Sequence, residues 1–317
     1  MAIKFANPKE YLAELIGTMV LVATGTIIGS VFGTGLTTAF GFAITFVALI
    51  YIAGKVCNCH FNPLITLGML INKRMGAKDA LFCILAQIIG GLLGGLFALF
   101  MMTQEFGNAD VVLYVSTFGA DYTGASWLFG RAFEVCGAFI LEFLFAFVLV
   151  SVVLRATESG RIDLKSGAIV SLALFALIWF GSEMTYTAVN PADSIGAAFA
   201  MMFSDIGDVK FEPIKQLWLF ILAPVLGAAV GSVAYIIFNG GDVDIAKYAA
   251  AIKSVKPVKK EKPAEGSEEE VSEEPAEEEV SEESVEESEE DEIPEIEPEE
   301  SEEAPAEAET VSEEKQE

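Results

Sequence analysis

The chain has 317 residues, 53% of them hydrophobic, and a formal net charge of −27 from 46 acidic and 19 basic residues. The charge is confined to one end. From Glu261 onward there are 29 acidic residues against Lys262 and Lys315, which leaves the first 260 residues with 17 of each sign. A neutral, very apolar body joined to an acidic tail offers no basic surface to track phosphates, so a nucleic-acid-binding role is excluded.

Six long apolar runs follow one another in the body, at about 11–32, 36–54, 80–102, 132–154, 167–182 and 217–238. Most approach the ~20 residues needed to cross a hydrocarbon core. The fifth is shortest and can extend at either end. With no water inside a bilayer, each run must be a helix that satisfies its own backbone. The first run is too long for a signal-peptide core and five more follow, so cleavage is not expected. Lys4, Lys9, Lys73, Arg74, Lys78, Arg155, Arg161 and Lys165 fall in one alternating set of connections. The connection 103–130 holds Glu105, Asp110 and Asp121 and no Lys or Arg. The positive-inside tendency therefore predicts a multi-pass protein of the cell membrane with both termini cytoplasmic.

Cys83 and Cys136 lie in apolar runs, as small packing residues. Cys57, Cys59 and His60 are closer together, but no fourth ligand is visible nearby and the spacing is not a recognised zinc pattern, so no metal is expected. No nucleophile or cofactor loop is evident either. Catalysis is not assigned.

The chain is internally duplicated. "AELIGTMVLV" (13–22) aligns with "LEFLFAFVLV" (141–150), placing Glu14 over Glu142, an offset of 128. "FNPLITLG" (61–68) aligns with "VNPADSIG" (189–196), placing Asn62 over Asn190 at the same offset. The repeats span about 8–127 and 128–240 within a membrane domain 1–247. Each contains three spans, an odd number, so the second must enter the membrane from the opposite side. Between spans, 62–71 and 190–202 are apolar yet too short to cross, which fits re-entrant half-helices. Each opens Asn-Pro: Asn62 and Asn190 suit the N-cap, while Pro63 and Pro191 suit the first helical position. A capping Asn keeps its amide NH₂ to donate elsewhere. Entering from opposite faces, the half-helices bring two amide donors and two positive dipole ends to one point. That geometry suits a neutral solute with a lone pair.

With these motifs in place, and with "AQIIGGLLGG" (86–95) and "APVLGAAVGS" (223–232), residues 8–240 resemble the aquaporin and glycerol-facilitator family, the major intrinsic proteins. The resemblance implies an all-α membrane fold of six transmembrane helices plus two re-entrant half-helices, one pore per subunit, and a homotetramer. The GxxxG spacings Gly25/Gly29, Gly90/Gly94, Gly91/Gly95 and Gly227/Gly231 predict close helix crossings. Glu14 and Glu142, with His60, match positions that brace the loops behind the half-helices. The first signature departs from the family at Leu64, where Ala is usual; Ala192 keeps the second. The filter positions implied by the resemblance are Phe42, Ile178, Thr187 and Asp193. Asp193 stands where the family nearly always has Arg, and Ile178 where water-selective members have His, so a wider filter with an acceptor in place of a donor is expected.

Asp193 has two readings that can both hold. As the third residue of its half-helix it can accept from early backbone N–H groups. Facing the pore, it would accept from solute hydroxyls or amides. A unit charge at ~4 Å contributes about 1 to 4 kcal/mol in watery or semi-aqueous surroundings, which weakens cation rejection without predicting an open cation channel. The expected function is a passive channel for small uncharged solutes, glycerol-like polyols and water, lying in the lipid bilayer without a cofactor. A water-selective channel is the near alternative. An ion-coupled secondary transporter and a closed structural membrane protein are rivals of other classes. The end 248–317 begins with a basic strip at Lys253, Lys256, Lys259, Lys260 and Lys262, then turns to Glu/Ser/Pro repeats too polar to support a core, so a disordered, solubilising acidic tail is expected.

Overall fold

Each apolar run forms a helix, as a segment deprived of water must. The structure, a computed structural model, describes residues 8–33, 35–106, 111–118, 126–158, 160 and 162–239, with the backbone alone for 106 and 126–134. The helices are α1 (Pro8–Phe32), α2 (Gly35–Ala53), α3 (Pro63–Ile71), α4 (Ala77–Phe106), α5 (Ser126–Ala156), α6 (Leu164–Thr185), α7 (Pro191–Met201) and α8 (Glu212–Phe238). Among the described residues there is no strand, and six helices are long and apolar enough to cross a membrane. α3 and α7 are the two short ones. The described residues belong to one folded unit that ends by Lys256; the acidic tail expected from 248 lies outside them.

The short fifth run lengthens for a local reason. Asp163 caps α6, its carboxylate accepting from the Ser166 N–H at 2.8 Å while the Ser166 hydroxyl accepts from the Asp163 N–H at 2.8 Å. This reciprocal box satisfies two of the orphan donors that every helix start leaves. α6 therefore begins three residues before its apolar stretch.

Helix packing repeats across the two halves. α1 packs on α2 and α4, and α5 packs on α6 and α8. The half-helices cross over: α7 lies against α4 of the first repeat, and α3 against α8 of the second. Glycine permits this. A Cβ at Gly91 would lie 2.1 Å from the Ala192 carbonyl oxygen, and one at Gly196 2.0 Å from that of Gly91, so α4 and α7 touch backbone to backbone. Gly227 and Gly231 approach the Phe143 and Phe147 carbonyls of α5 in the same way, and Gly90 and Gly94 those of Leu15 and Met19 in α1. Gly25 and Gly29 differ from the expected helix crossing. They receive the rings of Phe42 and Tyr114, so this pair forms notches for aromatic side chains.

Gly196→Val should destabilise the protein by about 1–3 kcal/mol or more, because a backbone contact cannot rotate aside; a fall in the thermal midpoint in detergent checks this. The cap at α6 predicts a pH effect. Hydrogen bonds from the Ser166 hydroxyl and N–H hold the Asp163 carboxyl below its ordinary range. A carboxyl so depressed stabilises the fold above its unfolded pKa and loses that contribution as pH falls through the folded value. The thermal midpoint should therefore drop on acidification, and drop less in Asp163→Asn.

Candidate functional site

The half-helices start as capping chemistry requires. Asn62 Oδ1 accepts from the Leu64 N–H at 2.9 Å and Asn190 Oδ1 from the Ala192 N–H at 3.1 Å, with Pro63 and Pro191 opening α3 and α7. The amide nitrogens then cross between repeats. Asn62 Nδ2 donates to the Val189 carbonyl at 2.8 Å, and Asn190 Nδ2 to the Phe61 carbonyl at 2.9 Å. The two loops are clasped tip to tip. Each amide thereby spends one N–H and keeps one without a partner among the described residues, where sequence alone left both to a solute.

The clasp needs an unusual backbone. Phe61 and Val189, the residues before each Asn, sit at φ 47° and 50°. Bulky and β-branched residues rarely take this left-handed conformation, at a cost of about 1–3 kcal/mol each. It turns each carbonyl toward the opposite Asn. Beside the clasp is a cavity of about 10 Å³ lined by Asn62 and Asn190 together with apolar residues that include Leu21, Phe46, Leu149 and Leu174. That is room for about one water molecule.

Two buried carboxylates hold the loops from behind. Glu14 accepts from the His60 N–H (2.9 Å), the Phe61 N–H (2.8 Å) and Gln87 Nε2 (3.0 Å). Glu142 accepts from the hydroxyls of Thr185 (2.8 Å) and Thr187 (3.0 Å), and Thr187 Oγ1 in turn accepts from the Val189 N–H at 3.0 Å. The first carboxylate binds the loop backbone directly; the second reaches it through a threonine. Gln87 and Thr185 were not singled out from sequence, although Gln87 lies inside the repeat-bearing stretch 86–95 and a buried amide beside a glycine pair was a usable sign.

The four residues expected from the resemblance to form a filter, Phe42, Ile178, Thr187 and Asp193, are all buried. Phe42 fills the notch at Gly25. The Ile178 carbonyl accepts from the Ser182 hydroxyl. Thr187 turns its hydroxyl to Glu142, leaving its carbonyl, which accepts from the Tyr114 hydroxyl at 3.3 Å. Asp193 is fully buried, and neither carboxylate oxygen has a hydrogen-bond partner among the described residues. Of its two sequence-level roles, acceptance from early helical N–H groups is therefore not taken up.

His60 borders a second cavity of about 350 Å³ with Asn58, Met69, Arg74 and Thr157, on the side of the clasp where α3 ends. Its Nδ1 lies 3.0 Å from Thr66 Oγ1. Glu14, His60 and Cys83 place a carboxylate oxygen, an imidazole nitrogen and a thiol within 4.8 Å of one another. These groups already hold each other and the loop: Gln87 Nε2 bridges Glu14, Thr66 Oγ1 (2.9 Å) and Cys83 Sγ (3.4 Å). The cluster is a hydrogen-bonded brace. Glu14→Ala should strand the His60 and Phe61 N–H groups, costing roughly 1–3 kcal/mol for each; thermal unfolding in detergent measures the loss.

Comparison with known proteins agrees with this geometry. The family model described as "Major intrinsic protein" matches residues 1–235. The chain is 35% identical over 235 residues to glycerol uptake facilitator protein-like 6 of Lactiplantibacillus plantarum, covering 71% of this chain and 95% of that protein. It is 28% identical over 238 residues to Aquaporin Z of Rhodopseudomonas palustris, covering 72% and 92%. Among solved structures, the aquaglyceroporin from Plasmodium falciparum superposes with a TM-score of 0.60 at 18% identity, covering 72% of this chain and 95% of that one, which speaks to the fold. Opposed half-helices clasped through two Asn-Pro caps, and a family match across the whole membrane body, lead to one conclusion: this multi-pass membrane protein belongs to the major intrinsic protein family, whose members are passive channels and not enzymes.

Proposed function

We propose that the protein is a passive channel for small uncharged solutes, glycerol-like polyols together with water, with one pore per chain. The observation that carries this reading is the pair of Asn amides. Each retains one N–H beside a water-sized cavity whose other lining residues are apolar. A hydroxyl or water oxygen there accepts from both amides while its carbon or hydrogen side faces apolar residues. Two positive helix ends at the same point repel cations and orient water against proton relay. The names of the two relatives, a glycerol facilitator-like protein and an aquaporin, support the same solute class.

Within this channel the filter comprises Phe42, Ile178, Thr187 and Asp193, and Asp193 faces the passage. Its two unpartnered oxygens support that placement, since a buried carboxylate with no internal donor is costly unless something else donates to it. Polyol hydroxyls moving through the filter are such donors. The lysines and arginines of one set of connections support cytoplasmic termini in the cell membrane, and the family supports a homotetramer.

Stopped-flow measurements on proteoliposomes should show water and glycerol fluxes well above those of empty vesicles. Equal rates would leave a closed structural protein. Solute accumulation that collapses with an ion gradient would identify an ion-coupled transporter. Asp193→Arg should reduce glycerol flux by roughly tenfold, the scale on which a pocket discriminates by fit, and should tighten cation exclusion. Unchanged selectivity would remove Asp193 from the passage.

A further inference from the structure

The connection between α4 and α5 contributes a buried segment that the sequence did not announce. Residues 111–118 form neither helix nor strand, and Val111, Leu113, Tyr114, Val115, Ser116 and Thr117 are all buried. This strap is tied at several places. The Tyr114 N–H donates to Ser30 Oγ of α1 at 2.8 Å, and the Thr117 N–H to the Thr185 carbonyl of α6 at 3.0 Å. Ser116 Oγ meets Ser194 Oγ, next to Asp193, at 3.1 Å. Phe118 exchanges two hydrogen bonds with the Gln216 side chain of α8, at 2.8 and 3.1 Å. The strap thus spans α1, α6, α7 and α8 on the side of the clasp where α1 and α6 end.

Its tyrosine points into the bundle. The Tyr114 ring sits in the notch at Gly29, where a Cβ would lie 2.4 Å from ring carbon Cγ; the Phe42 ring sits in the notch at Gly25, 2.1 Å from a Cβ there. The two glycines are four residues apart, so the rings lie on one face of α1, layered about 6 Å apart. The Tyr114 hydroxyl is 3.1 Å from Ser182 Oγ and 3.3 Å from the Thr187 carbonyl, and Ser182 donates to the Ile178 carbonyl. Tyr114 is therefore bonded to one filter position, joined to a second through one hydroxyl, and layered over a third. The Tyr186 ring meets it edge to face, with centroids 5.4 Å apart.

We propose that Tyr114 is a fifth filter residue, which sets the upper size of the solute in the layer above Phe42. The inference rests on the channel reading. Asp193 is short for a filter position, and width there is limited by a ring brought in from the strap. The strap has further ties, through Ser30, Thr185 and Gln216, that use atoms other than the ring.

The test compares water, glycerol and xylitol fluxes in proteoliposomes for the wild type, Tyr114→Phe, Tyr114→Leu, Tyr114→Ala and the strap variant Gln216→Ala. Tyr114→Ala should raise the xylitol-to-water ratio by roughly tenfold, the discrimination a fitted pocket provides. Tyr114→Leu, which still fills the Gly29 notch, should raise it less and substitutes if the alanine variant does not fold. Tyr114→Phe should keep the wild-type size limit, and Gln216→Ala should leave the ratio unchanged. An unaltered ratio in folded Tyr114→Ala or Tyr114→Leu overturns the proposal. So does a rise in Tyr114→Phe or Gln216→Ala as large as that in alanine, which would assign the effect to a loosened strap. A wild type that passes neither water nor glycerol faster than empty vesicles sinks the channel reading itself, a result distinct from either.

Discussion

Polar backbone that cannot reach water must find a partner inside the protein, and this constraint governs the structure. The six long helices meet it alone. The loops that lead into the half-helices cannot, because they are irregular chain at membrane depth. Their N–H groups go to Glu14 and to the threonine held by Glu142, and the carbonyls of Phe61 and Val189 go to the opposite Asn. Two buried carboxylates and two asparagines are thus the conditions under which a broken helix can exist there. The donors left beside the central cavity are what remains of the asparagines after that demand is met.

The halves solve the problem differently, although the two Glu and the two Asn-Pro pairs align at one offset of 128 residues. Glu14 takes two backbone N–H groups directly. Glu142 takes two hydroxyls, and the loop N–H reaches it through Thr187. The aligned position in the first repeat is Cys59, whose thiol is a poor hydrogen-bond relay. A shared offset therefore marks where the brace stands without saying how it is wired.

Much of this was legible in the amino-acid order. Spans follow from apolar length and the half-helices from Asn-Pro at a matched offset, signals that are local or repeated and so readable in one chain. The bracing role of Glu14 and Glu142 came from the family resemblance. What stayed hidden depends on distant partners. That Asn62 donates to Val189, that Gly29 houses a ring, and that residues 111–118 fold inward among four helices are facts of tertiary approach, with no periodicity to betray them. Left-handed φ at Phe61 and Val189 ran against residue preference, and no sequence rule places a phenylalanine or a valine there. The Gly25/Gly29 pair shows the opposite error: a spacing read as helix-on-helix contact turned out to accommodate side chains.

The crossed docking of the half-helices carries a consequence for biogenesis. α3 rests on α8, the last helix of the bundle, and its capping Asn62 donates to a carbonyl 127 residues further along. Nothing made during synthesis of the first repeat supplies either contact. The ribosome must deliver nearly the whole membrane portion before the earliest re-entrant segment gains these contacts, so emergence of the last helix and maturation of the centre are linked.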